Sequence, residues 1–104
     1  MSDNNFVGSL ATTLGDVVQD IDVNFNYSNL TGDVDIMTAK FNIEVKSGTS
    51  PKFTQSLKNA EYAKSQGKGY ILYMPKATKS QVRVVNEKGI TLIRTVENLK
   101  KAIQ

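Results

Sequence analysis

Gly32-Asp33-Val34-Asp35-Ile36-Met37 is followed, after a short gap, by Ile43-Glu44-Val45-Lys46-Ser47-Gly48. Acids alternate with apolar residues in the first segment, and an acid and a lysine do so in the second. Read as neighbouring strands with a period of two, Asp33, Asp35 and Met37 share one face, and Asn42, Glu44 and Lys46 share one face of the partner. A hairpin with Ala39-Lys40 at its tip sets Asp35 opposite Glu44 and Asp33 opposite Lys46, with Cβ atoms about 4.5–5.5 Å apart. Ala-Lys is a poor two-residue turn, so a longer or bulged connection is the alternative. A slip of one residue would destroy the arrangement. Carboxylates this close repel, and burying them costs more. A divalent cation relieves that cost, and a cation so held suits phosphoester hydrolysis, because it acidifies a bound water and neutralises charge on the phosphate.

The residues divide into roles. Asp35, Glu44 and the backbone carbonyl of Val45 can hold a hard cation, Mg²⁺ or Mn²⁺ ahead of Zn²⁺, with positions left for water and a phosphate oxygen. Lys46 can orient or deprotonate the water, or stabilise the pentacovalent state electrostatically. Asp33 either adds a ligand or pairs with Lys46. The alternative is a solvent-exposed ion-pair ladder, Asp33 with Lys46 and Glu44 with a nearby lysine. Two features weigh against it. Val34, Ile36, Phe41, Ile43 and Val45 on the opposite faces suffice to form a core, and opposed carboxylates are unfavourable unless something binds them.

Composition narrows the field. At 104 residues the chain is one domain, residues 1–104, large enough for a single modest core. It has no histidine and no cysteine, which removes histidine-based acid–base catalysis, serine and cysteine triads, thiolate metal sites and disulfides. No apolar run reaches membrane-spanning length. The net charge is only +3, but residues 1–39 hold six acids and no Lys or Arg, while residues 40–104 hold all thirteen basic residues against four acids. A basic half with an acidic cluster at its edge suits a polyanion held by lysines, with a metal between carboxylates and phosphate. Lys52, Lys58, Lys64, Lys68, Lys76 and Lys79 form the candidate phosphate-contacting pool, and Gln55, one turn into the helix that follows, can reach phosphate or the water.

The elements that must position these residues follow from periodicity. Val7, Leu10, Leu14, Val17 and Ile21 mark a helix from Asn4 to about Ile21, weakened at Gly8 and Gly15. Asp22–Tyr27 alternates as a half-buried strand. Asp33–Thr38 and Phe41–Ser47 are the next two strands. Ser50 is placed as an N-cap with Pro51 at the first helical position, and Phe53, Leu57, Ala60 and Ala63 as the buried stripe of a helix running to about Gln66. Tyr70–Met74 is a continuous apolar run, as in a central strand covered on both faces. Gln81–Val85 reads as a further strand and Ile90–Ile93 as a short one. Thr95 caps a last helix with Val96, Leu99 and Ile103 inward. The result is an α/β fold with a mixed sheet flanked by helices, in the order α-β-β-β-α-β-β-α.

Gly32-Asp33-Val34-Asp35 and Ile43-Glu44-Val45-Lys46-Ser47 together resemble the signature of the PD-(D/E)XK nuclease superfamily, the restriction-endonuclease-like fold. The spacing of nine between Asp35 and Glu44 fits, as do the Glu-Val-Lys triplet and the helix and apolar strand that follow. Val34 stands where the family's name has proline. The resemblance implies Asp35, Glu44 and Lys46 as the catalytic set and a divalent metal cofactor. Many members add an acid from the first helix, for which Asp20 and Asp16 are the candidates here. The small size and the run from Glu44-Val45-Lys46-Ser47-Gly48 through Gln55 and Ala63 to Gly67-Lys68-Gly69-Tyr70 further resemble nuclease toxin domains of contact-dependent growth inhibition and similar polymorphic toxin systems. That likeness implies a C-terminal fragment of a larger secreted or surface effector, action in the cytoplasm of a target bacterium, and a cognate immunity protein. tRNA is favoured over DNA as substrate, because one small domain offers no second cutting site for duplex breaks. The alternatives are a toxin DNase, a Holliday-junction or repair DNA nuclease, and a non-catalytic nucleic-acid-binding module of the same fold.

Overall fold

The computed structural model describes residues 2–50 and 52–104, with side chains from residue 5 on. The chain runs α1 (Ser2–Leu14), a 3₁₀ turn (Gly15–Val17), β1 (Asp20–Tyr27), β2 (Leu30–Met37), β3 (Phe41–Val45), α2 (Phe53–Ser65), β4 (Gly69–Tyr73), α3 (Lys79–Glu87), β5 (Thr91–Ile93) and α4 (Val96–Ile103). The five strands form one sheet in the order β1-β2-β3-β4-β5. The first three are antiparallel neighbours, and β3, β4 and β5 run parallel. Parallel neighbours need a crossover, and α2 and α3 supply the two. Among the described residues no helix is long and apolar enough to cross a membrane.

Strand alternation divides the core in two. Ile36, Ile43, Val45, Ile71 and Tyr73 pack against Val7, Leu10 and Leu14 of α1 and Leu99 and Ile103 of α4. On the other face, Leu72 and Met74 pack with Val85 and Val82 of α3, Leu92 and Phe53 of α2. Ile71 and Leu72, adjacent in β4, therefore lie in different clusters, so that strand is covered on both faces.

Four expectations are corrected. Gln81–Val85 is not a strand but the body of α3, which makes the order α-β-β-β-α-β-α-β-α. Its β-branched valines favour a strand locally, but Thr78 and Gln81 form a capping box: Gln81 N donates to Thr78 Oγ1 at 3.1 Å, and Thr78 N to Gln81 Oε1 at 2.9 Å. The first helix ends at Leu14, not near Ile21, because Gly15 adopts φ +75°, the left-handed conformation that stops a helix. Ile21 and Val17 are exposed. The N-cap of α2 is Lys52, in an extended conformation and without a side-chain cap bond, rather than Ser50; Pro51 lies outside the described residues. Finally, Leu57 is 48 % exposed, and Ser56, Asn59 and Ala63 form the buried side of α2. The helix turns its polar side to the sheet because a buried carboxylate there needs donors.

The β2–β3 hairpin has the expected register. Ile36 faces Ile43 and Met37 faces Asn42, so Asp35 and Glu44 take the matching positions just beyond the end of the ladder. Its tip is Ala39-Lys40, and Thr38 makes that turn workable. The Thr38 hydroxyl donates to the Phe41 carbonyl at 3.2 Å and accepts from Phe41 N at 3.1 Å.

Candidate functional site

The hairpin ladder stops where the acids begin. In a regular ladder the next bond beyond Ile36–Ile43 would take the Val45 N–H to the Val34 carbonyl. Asp35 Oδ2 accepts that N–H instead, at 2.8 Å. The carboxylate is wedged between two strands, held by one of them and open to the space between. That space is a cavity of about 220 Å³ lined by Gly32, Asp33, Asp35, Glu44, Lys46, Gln55 and Asn59.

Glu44 lies on the α2 side of β3 and is only 5 % exposed. A charge so buried is tolerated when its oxygens are satisfied. Oε1 accepts from Ser56 Oγ at 3.4 Å, from Asn59 Nδ2 at 3.2 Å and from the Tyr70 hydroxyl. Oε2 lies 3.4 Å from Lys46 Nζ, the only ion pair among the described residues. Asn59 is itself oriented by Gln55, whose Nε2 donates to Asn59 Oδ1 at 3.1 Å. Burial, then the Glu44 charge, hold the Tyr70 proton well above the ordinary phenol range, so this hydroxyl remains a donor. The Asp35 carboxyl is pushed up to about 6, mainly by burial and further by the Glu44 and Asp22 charges. The Val45 N–H and Lys46 pull in the other direction.

Gly32 closes one wall by having no side chain. A Cβ there would sit 2.9 Å from Gln55 Nε2, 2.9 Å from Phe25 Cζ and 3.0 Å from Asn59 Oδ1. Phe25 is in turn stacked on Tyr62 of α2, ring centroids 3.9 Å apart. The β1–β2 hairpin thus presses directly on α2, with glycine as the point of approach.

Asp35, Glu44, Lys46, Asp33 and Gln55 meet in this one cavity. Asp16 and Asp20 do not line it. Neither is on a helix of the kind expected: Asp16 is in the 3₁₀ turn and lines a separate cavity with Thr38 and Lys40. Asp20 opens β1, where its Oδ1 accepts from the Ile21 N–H at 2.9 Å. The acid that β1 does bring near is Asp22. The β1–β2 ladder pairs Ile21 with Ile36 and Val23 with Val34, which puts Asp22, at φ +52°, at the register position of Asp35. Asp22, Asn24, Asp33 and Asp35 line an open cleft of about 410 Å³. Lys52, Lys58 and Lys76 are exposed and outside the cavity lining, while Lys68 Nζ donates to Asn42 Oδ1 at 3.5 Å.

Ser56, Asn59, Tyr70 and Asp22 were missed from sequence. Ser56 and Asn59 sit three apart on α2, a helical spacing that a buried acid on the preceding strand makes meaningful. From sequence, Tyr70 reads only as the first residue of the apolar Tyr70–Met74 strand. Its place beside Glu44 follows from the β3–β4 pairing of Asn42 with Tyr70 and Glu44 with Leu72, which puts the Tyr70 and Leu72 side chains on the Glu44 face.

Among the described residues no three His, Cys, Asp or Glu side chains gather into a ready metal cage. The oxygen donors that line the cavity are the carboxylates of Asp33, Asp35 and Glu44 and the side-chain amides of Gln55 and Asn59. That hard, oxygen-only and sparse set suits Mg²⁺ or Mn²⁺, which keep several waters, better than Zn²⁺, which prefers nitrogen and sulfur. In comparisons with known proteins, no family model, no curated protein and no solved structure matches this chain.

Proposed function

We propose that this domain is a divalent-cation-dependent nuclease of the PD-(D/E)XK type, with tRNA favoured over DNA and a role as an interbacterial toxin domain opposed by an immunity protein. The observation that carries the reading is the meeting of Asp35 of β2, Glu44 of β3 and Lys46, the residue just after β3, in one cavity where the β2–β3 ladder opens. The toxin role rests on resemblance alone.

Asp35 and Glu44, with the Val45 carbonyl, would hold the cation. When bound, it supplies an acidified water and neutralises charge on the scissile phosphate. The chain's own residues do the rest. Glu44 keeps the Lys46 ammonium within 3.4 Å, at the cavity wall, where it stabilises negative charge developing on the phosphate. Gln55 and Asn59 offer the cavity amide groups, and Asp33, exposed at the rim, keeps like-charged phosphates from settling on that side. The substrate strand enters a site that is polar throughout, and the exposed Lys52, Lys58 and Lys76 supply the wider electrostatic attraction.

Incubation of the purified domain with total tRNA and with plasmid DNA, in Mg²⁺, Mn²⁺ or EDTA, tests the proposal. Glu44→Ala and Lys46→Ala serve as controls. Cleavage of tRNA that requires the cation and disappears in both variants supports it. Cleavage of DNA alone moves the substrate assignment to the DNA nuclease. Cleavage that persists in EDTA or in either variant refutes the site, and binding without cleavage of either nucleic acid points to the non-catalytic module.

A further inference from the structure

We infer that Tyr70, assisted by Ser56 and Asn59, is a positioning residue that sets which divalent cation this site accepts, by occupying one oxygen of Glu44. The inference rests on the metal-dependent reading above and concerns the same site.

The two oxygens of Glu44 have different surroundings. Oε1 accepts from three donors on two elements: Ser56 and Asn59 of α2, and Tyr70 of β4. A carboxylate oxygen has about two lone-pair positions, so Oε1 is saturated. Oε2 has only the Lys46 ammonium, at 3.4 Å, and retains capacity. The arrangement is braced, because Gln55 Nε2 occupies Asn59 Oδ1 at 3.1 Å and so directs the Asn59 NH₂ to Glu44. Among the described residues no buried side-chain polar atom is left without a partner. Rotating Glu44 to present both oxygens to a ligand would strand the buried Ser56 and Asn59 donors and the half-buried Tyr70 hydroxyl.

A cation in the cavity therefore meets one Glu44 oxygen. Mg²⁺ and Mn²⁺ accept a few carboxylate oxygens and complete their octahedra with water, whereas Ca²⁺ takes six to eight oxygens and commonly both from one carboxylate. A Glu44 limited to Oε2 disfavours the larger ion. Removing the Tyr70 hydroxyl releases part of Oε1 and relaxes that limit.

The test is calorimetric titration of the metal-free protein with Mn²⁺, Mg²⁺ and Ca²⁺ separately, on the wild type and Tyr70→Phe, with a thermal melt to check folding. For Tyr70→Phe the expected result is a fall in Mn²⁺ affinity of roughly tenfold or more, the usual effect of losing an outer hydrogen bond to a metal ligand. Ca²⁺ affinity should fall less or rise, so the Mn²⁺-to-Ca²⁺ ratio drops. An unchanged ratio with wild-type binding intact overturns this inference alone. Failure of the wild type to bind any of the three ions overturns the metal-dependent reading and this inference with it. If Tyr70→Phe does not fold, Ser56→Ala and Asn59→Ala, which each remove another donor to Oε1, must lower the ratio, and unchanged ratios in both overturn the inference.

Discussion

Asp35→Asn should make the metal-free protein more stable. The Asp35 carboxyl is raised from 3.8 to about 6, chiefly by burial, a difference equivalent to about 3 kcal/mol against the charged form. The carboxyl opens onto the cavity, and solvent screening reduces the figure to roughly 1–2 kcal/mol. Asparagine is nearly isosteric, and its Oδ1 can still accept the Val45 N–H. Because the folded-state value lies above the unfolded one, the acid's contribution to stability is fully present below about pH 4. It is lost as pH rises through about 6. The difference between variant and wild type should thus be near zero at pH 4 and grow to roughly 1–2 kcal/mol in favour of Asn by pH 7.5. At about 4–8 °C per kcal/mol for a domain of this size, the gain is easily measured. Urea unfolding in EDTA at several pH values is the assay, and the carboxyls remote from Asp35 cancel between the two proteins, whereas Glu44 and Asp22 feel the loss of its charge. A variant less stable than wild type at pH 7.5, or a difference that does not change with pH, would refute the burial argument.

Other outcomes follow from the same geometry. Gly32→Ala should destabilise the fold by about 1–3 kcal/mol through overpacking against Gln55, Phe25 and Asn59, seen as a lower urea midpoint. Leu57→Ser should change stability by less than about 0.5 kcal/mol, since Leu57 is exposed, and a large loss in a thermal melt would show that α2 is rotated otherwise. Mn²⁺ affinity should decline as pH falls below about 6, because the cation must displace the proton from Asp35, and calorimetry at pH 5 and 7.5 reads this directly.

The hairpin that carries the site was legible because a one-residue slip would turn Ile36 and Ile43 out of the core, and the short Ala39-Lys40 tip leaves little room for a larger shift. Its acids, on the other face, follow automatically. The α3 segment was misread because three valines within Gln81–Val85 favour a strand locally, although Thr78-x-x-Gln81 is a readable capping box. Parallel pairing of β4 with β5 also demands a helix between them. The rotation of α2 was not legible from that helix alone. A stripe of Phe53, Leu57, Ala60 and Ala63 is the better apolar face, and only the buried Glu44 carboxylate explains why Ser56 and Asn59 point inward while Leu57 faces water. The first-helix acids were misplaced for a similar reason. Gly15 ends α1, the chain turns into β1, and Asp22, not Asp16 or Asp20, comes to the register position of Asp35.

The most direct test is a crystal of the domain soaked in Mn²⁺ and examined by anomalous scattering. The account predicts a single peak in the cavity, within bonding distance of oxygens from both Asp35 and Glu44 and next to Lys46. A peak bound to neither acid, or none at all at saturating Mn²⁺, would contradict it.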